Sequence, residues 1–233
     1  MKAIYQKEMR QYFHSVIGYV FLAIFVFINA YYFLLQNLMN RSGDITDYFQ
    51  ATITLMMFLM PLLTMRSFSE EKKQRTDILF YVMPVRQEWV VLGKFLAAES
   101  VFLLGLAVTL AFPVILAACG SVQFWVTVGN YVGIILLMSA FLAIGIFVSA
   151  LTENQIVAAV LSYVIIFAFW FSYGLAGTIQ NQTVLTLFNK TSMMGMYYEL
   201  SMGVLNPAGI LLDFSVIFIF LFLTVTVVKG KRG

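Results

Sequence analysis

The chain has 233 residues, of which 61% are hydrophobic and only 11% charged. Apolar runs on this scale exceed what a soluble core can bury, and a net charge of +3 is too small for a phosphate-binding surface, so a soluble enzyme and a nucleic-acid-binding domain are both excluded. A single cysteine, Cys119, rules out an internal disulfide, and four prolines with no Ser/Gly-rich tract leave no linker to a second domain.

The apolar runs do not alternate with polar residues, which excludes a membrane β-barrel and predicts an all-α polytopic membrane protein, with residues 1–233 as one transmembrane domain. Residues 1–14 come first. Ile4, Tyr5, Met9, Tyr12 and Phe13 share one helical face with Val16, while Lys2, Gln6, Lys7, Arg10 and His14 share the other. That pattern predicts an amphipathic helix lying in the interface of the bilayer. Six transmembrane helices follow, over residues 15–35, 49–65, 95–118, 127–150, 156–176 and 208–228. Pro61 and Pro113 are expected to kink the second and third. Gly129 and Gly133 form a GxxxG pattern that lets another helix approach closely. Asn29, Asn130 and Asn154 are placed to pack between helices. Glu99 reads as lying one turn inside the third span, with its carboxylate snorkelling to the headgroups beside Lys94.

The basic residues set the orientation. With the N-terminus in the cytoplasm, twelve of the fourteen Lys and Arg residues fall on the inner side, and only Arg41 and Lys190 fall outside. Both termini are then cytoplasmic.

Two connecting segments are too unusual to be plain loops. Residues 66–94 hold ten of the chain's 25 charges. Ser67 followed by Glu70 reads as a capping box, with Glu70 and Glu71 at the exposed start of a helix and Lys72, Lys73 and Arg75 after them. Ile78, Leu79 and Val82 give that helix an apolar edge, and Met83-Pro84 ends it. A helix of this kind in a charged loop is a docking element. Residues 177–207 fall outside by parity. They are strongly apolar yet too short for two spans, which predicts re-entrant or capping helices. Tyr197, Tyr198 and Glu199 are expected at the outer exit or a partner surface.

The stretch FSEEKKQRTDILFYVMPVRQEWVVLGKF resembles the signature loop of ABC-2-type transporter permeases. Glu70, Glu71, Lys72, Thr76, Asp77, Ile78, Leu79, Pro84, Val85, Glu88, Val90, Gly93 and Lys94 fit its pattern. Arg75 departs from it: that family has glycine there, so the helix is expected to continue where its relatives bend. KEMRQYFHSVIGYVFLAIFVF and IGIFVSALTENQIVAAVLSY resemble the family's first helices and its fourth-to-fifth link. LFNKTSMMGMYYELSMGVL is most similar to the small gliding-motility-associated branch. The resemblance implies a half-transporter, an exporter in a bacterial cytoplasmic membrane. A second copy, or a homologous permease, completes the translocation path. A coupling helix over residues 67–83 seats on a separate ABC ATPase subunit, and Ser67, Glu70, Glu71, Lys72, Lys73, Arg75, Thr76, Asp77, Leu79 and Pro84 form that contact. The family branch adds an auxiliary membrane-anchored external protein as a partner.

The chain has no G-x-x-x-x-G-K-[ST] phosphate loop, so ATP and Mg are expected in the ATPase subunit, with no cofactor bound directly. The chain is therefore not expected to be an enzyme by itself. Glu70-Glu71-x-x-x-Arg75 also matches an intramembrane protease pattern, but that chemistry needs several histidines and the chain has one, His14. Thirteen methionines without a His/Cys set serve as apolar filler, not as a metal site. The alternative to a transporter is a non-transporting anchor or mechanotransmission subunit that passes ATPase motion to an external partner.

Overall fold

The computed structural model describes residues 1–40, 43–76, 86–119, 123–175, 192–204 and 206–230. Their regular structure is entirely helical. Helix α1 is Lys2–His14, and α2 is Val16–Phe33, prolonged by a π-helical turn over Leu34–Met39. Then come α3 (Thr46–Thr64), the short α4 (Ser69–Lys73), α5 (Gln87–Thr109), α6 (Ala111–Cys119) and α7 (Phe124–Leu151). The chain closes with α8 (Gln155–Leu175), α9 (Met193–Ser201) and α10 (Pro207–Gly230). Five stretches are long and apolar enough to cross a membrane: α2 with its π turn, α3 with α4, α5 with α6, α7, and α10. The apolar run Gln155–Phe171 within α8 is shorter.

The expected spans fall on these helices, the third across both α5 and α6 and beginning at Gln87 instead of residue 95. That displacement overturns the reading of Glu99. Set three turns into α5, its side chain is buried against α7, where Ser139 Oγ donates to Glu99 Oε1 at 2.8 Å. It does not snorkel.

Helix α7 is the axis of the molecule. It is apolar all round and buried along most of its length, with α3, α8, α9 and α10 packed about it. Helix α2 is tied to α3 by one polar side chain. The Asn29 amide donates to Phe25 O at 2.7 Å and accepts from Tyr48 Oη at 3.0 Å and Thr52 Oγ1 at 2.6 Å. In an apolar environment such a bond is kept because leaving any member unpartnered is costly.

The two prolines act differently. Pro61 lies within α3, which runs on to Thr64. Pro113 breaks the third span: α5 stops at Thr109 and α6 starts at Ala111. A proline has no N–H for the carbonyl four residues back, here Thr109 O. Tyr131 Oη replaces it, donating to Thr109 O at 2.9 Å. The break is thus satisfied from α7.

The short helix α9 caps the start of α7. Ser192 Oγ accepts from Gly195 N at 3.3 Å as its N-cap. A Cβ on Gly129 would stand 2.1 Å from Leu200 O, and one on Gly133 2.9 Å from the Tyr197 ring. The GxxxG pattern therefore admits α9 to α7. Asn130 secures the contact, donating to Ser201 O at 3.2 Å and accepting from Tyr197 Oη at 2.7 Å.

Gly129→Val is expected to lower the stability of the purified protein by about 1–3 kcal/mol, the usual cost of overpacking a tight contact. Thermal unfolding in detergent measures it; an unchanged midpoint would mean that α9 is not seated there.

Candidate functional site

The loop charges gather into one buried hub at the end of the molecule opposite α9. Its centre is Lys94, with a side chain 1% exposed. The ammonium donates to Glu8 Oε1 at 2.9 Å and to Ser67 O at 2.6 Å, and Glu71 Oε2 stands at ion-pair distance, 2.9 Å. It also lies 4.9 Å from the centre of the Phe68 ring. Glu71 receives a second cation, Lys7, at 2.8 Å. Burial works to lower the Lys7 pKa, but its bond to Glu71 and the charges of Glu71 and Glu8 outweigh that and raise it.

Helix α1 supplies Glu8 because it crosses α5 at Gly93. A Cβ there would meet Ile4 at 3.0 Å, so the missing side chain lets the helices close. Tyr5 Oη donates to Ser100 Oγ at 3.0 Å, and Tyr12 Oη to Leu63 O at 3.2 Å. Burial, reinforced by the Glu8 charge, keeps the Tyr12 phenol well above its ordinary pKa and hence a donor. Glu8 was not singled out in the sequence, although a signal existed. Ile4, Glu8 and Tyr12 are spaced by four, so this acid sits on the apolar face and required a buried partner.

Helix α4 is held by reciprocal caps with α7. Ser149 Oγ accepts from the N–H groups of Phe68 at 3.0 Å and Ser69 at 3.1 Å, and donates to Met65 O at 3.2 Å. Lys72 Nζ donates in turn to Ala150 O, in the last turn of α7. Each helix end therefore satisfies backbone groups that the other leaves open. The expected capping box is not formed: the N-cap position is Phe68, without a side-chain cap, because Ser149 already fills that role.

Nor does the helix continue through Arg75. It ends at Lys73, and Arg75 takes a left-handed φ of 56°. Thr76 N donates to Glu71 O at 2.9 Å and Arg75 N to Lys72 O at 3.0 Å, the paired bonds of a Schellman C-cap. The position where the resemblance expects glycine is the one that needs it; arginine occupies it at the cost of a left-handed backbone.

The expected coupling residues divide accordingly. Ser67, Glu71 and Lys72 are buried, and Glu70 is half-buried, so the acids are not at an exposed start. Lys73, Gln74, Arg75 and Thr76 are exposed. Asp77, Leu79 and Pro84 lie outside the described residues, as do Ile78, Val82 and the rest of residues 77–85. Lys229, at the end of α10, pairs with Glu88 at the start of α5, so the C-terminal basic residue joins the same end. At the opposite end, Tyr197 on α9 is buried against α7 and is not a surface residue. Tyr198 and Glu199 are half-buried; Tyr198 stacks on Tyr173 with ring centres 5.1 Å apart, and Glu199 Oε2 accepts from Asn206 at 2.7 Å. Among the described residues, no group of three or more His, Cys, Asp or Glu side chains is placed to hold a metal ion.

Residues 2–229 match the family described as ABC-2 family transporter protein. The match spans nearly the whole chain, which therefore belongs to that family and is a multi-pass membrane protein of the ABC transporter class. No curated protein matches it.

Lys94→Met should destabilise the protein by about 3–5 kcal/mol, because it strands buried carboxylates. Adding Glu8→Gln should recover part of that loss, a coupling that a double-mutant cycle of unfolding midpoints reads out. Arg75→Gly should act in the opposite direction, stabilising by about 0.5–1 kcal/mol as the left-handed position loses its Cβ; a lower midpoint would show that the Arg75 side chain matters more than its backbone.

Proposed function

We propose that this chain is the permease subunit of an ATP-driven ABC exporter, two copies or homologous subunits forming the translocation path, with ATP and Mg bound by a separate ATPase subunit. The observation that carries the reading is the setting of α4. A five-residue helix is anchored to α1, to the C-terminal end of α3, to α5 and to the last turn of α7 while its C-terminal turn, residues 73–76, stays exposed. A force applied at that turn reaches four helices through short polar contacts instead of through a flexible loop.

The membrane orientation follows from charge. Lys7, Lys72, Lys94 and Lys229 converge on one end through their contacts, and basic residues favour the cytoplasmic side. We take that end as cytoplasmic and α8, with 21 helical residues, as the fifth of six spans. Helix α9 then lies on the outer side, as a cap over the start of α7. The similarity of its surrounding sequence to the gliding-motility-associated branch points to an external membrane-anchored partner for that face, with a bacterial inner membrane as the setting.

The exposed turn is the place to test coupling. Lys73→Glu with Arg75→Glu should leave the unfolding midpoint near wild type. Co-purification of the ATPase subunit should fall by about tenfold or more, as expected when attractive charges at a contact become repulsive. Wild-type co-purification and hydrolysis rate in the double variant would remove α4 as the coupling element.

A further inference from the structure

The elbow between α1 and α2 faces the end of α3 across a polar cavity of about 90 Å³. Gln11, Tyr12, Ser15, Glu8, Arg66 and Glu70 contribute to its wall. An apolar groove of about 220 Å³ lies next to it between α2 and α3, past Val20, Ile24, Leu59 and Leu62. The two share Ile17 and Leu63 as wall residues and so adjoin, with charged side chains lining the first and apolar ones the second. From Ile17 to Ile24 the groove follows α2 for about 10 Å at 1.5 Å per residue.

Two charged groups in the polar part are unfinished. Arg66 Nε and Glu70 Oε2 are buried, and neither has a hydrogen-bond partner among the described residues. The other charge in the wall, Glu8, is already held by Lys94. Glu70 Oε1 accepts from the exposed Gln74 amide at 3.3 Å, so what the cavity leaves open is one nitrogen of a cation and one oxygen of an anion, and buried polar atoms in that condition are expected to meet an external partner. We infer that the cavity and the groove together bind one phospholipid whose headgroup carries both a phosphate and a primary ammonium. The phosphate meets Arg66, the ammonium meets Glu70, and one acyl chain lies in the groove between α2 and α3.

Charge selects this occupant. A headgroup with a phosphate and no amine would leave Glu70 unpaired and place a second anion beside it. A choline headgroup carries the positive charge but no N–H to donate to Glu70 Oε2. A soluble phosphate ester would satisfy the charges and leave the groove unfilled. Helix α1 is amphipathic and packs at the elbow, which places the polar cavity at headgroup depth and the groove at acyl depth. The inference needs the membrane setting but not the transport reading, and its test involves neither ATP nor a partner subunit.

The experiment equilibrates the purified chain with nanodiscs of equal parts phosphatidylethanolamine, phosphatidylglycerol and phosphatidylcholine, extracts it, and counts retained lipid by native mass spectrometry. Wild type should keep one phosphatidylethanolamine per chain in preference to the others. Arg66→Gln should lower retention about tenfold, the scale of one charge-assisted contact. Glu70→Gln should erase the preference for ethanolamine over choline. Ile24→Trp, at a surface position of the groove, should lower retention with the unfolding midpoint unchanged. Equal retention of the three lipids by wild type, or wild-type retention in both Arg66→Gln and Ile24→Trp, would overturn the assignment. Full displacement by millimolar phosphoethanolamine would do so as well, by showing a soluble ligand instead of a lipid.

Discussion

Everything at the charged end depends on the desolvation of one ammonium group. Removing Lys94 from water is costly, and the cost is offset only by well-placed acceptors and nearby opposite charge. The compensating oxygens come from three separate parts of the chain: Glu8 on α1 and Ser67 just past α3 accept hydrogen bonds, and Glu71 on α4 adds an opposite charge at 2.9 Å. Meeting that single requirement fixes the position of α1 and the path of the chain between the second and third long helices. The ion pairs need not be a large net source of stability to do this. Their effect is to make alternative arrangements worse, since any of them would leave a buried charge alone.

The contact between α4 and α7 works by the same logic with weaker groups. A serine hydroxyl has one proton and two lone pairs, and Ser149 uses all three on the chain that leads into α4. Lys72 returns the favour at the last turn of α7. A five-residue helix would be unstable in isolation, because nucleation fixes several residues for very few hydrogen bonds. Here its ends are completed by a helix that is itself buried along most of its length, so α4 inherits rigidity from the centre of the molecule. That inheritance makes it a credible lever for the proposed coupling.

The opposite end is built from backbone and shape in place of charge. Gly129 and Gly133 admit α9 to near contact, and Asn130 completes the polar groups that meet there. The interruption at Pro113 follows the same economy, with Tyr131 on α7 supplying the hydrogen bond that proline cannot. Both ends thus refer to α7, so a displacement of α4 and the position of α9 bear on one helix about 42 Å long at 1.5 Å per residue.

Much of this was legible in the sequence because it is local. The amphipathic face of residues 2–14, the apolar runs and the GxxxG pattern depend on residues within a few turns of each other, and hydropathy and helical period report them directly. The lean of basic residues to one end is equally visible, since it needs only their order along the chain. What the sequence could not supply was partnership. Lys94 and Glu8 stand 86 positions apart, and nothing local to either says that one buries the other. Glu71 read as an exposed docking acid because a charged run is usually solvated; only the approach of α1 and α5 takes it out of water. Ser67 had the spacing of a cap, yet Ser149 from a distant helix took the role. Arg75 looked compatible with a longer helix because propensity alone favours arginine over glycine there. The fold bends the chain at Arg75 regardless, since the bonds from Arg75 N and Thr76 N close a helix whose two ends are set by tertiary contacts. Local periodicity determined which segments are helical and which face is apolar; the need to satisfy buried charges and backbone groups, which exists only once distant segments meet, decided where the helices stop and what they hold.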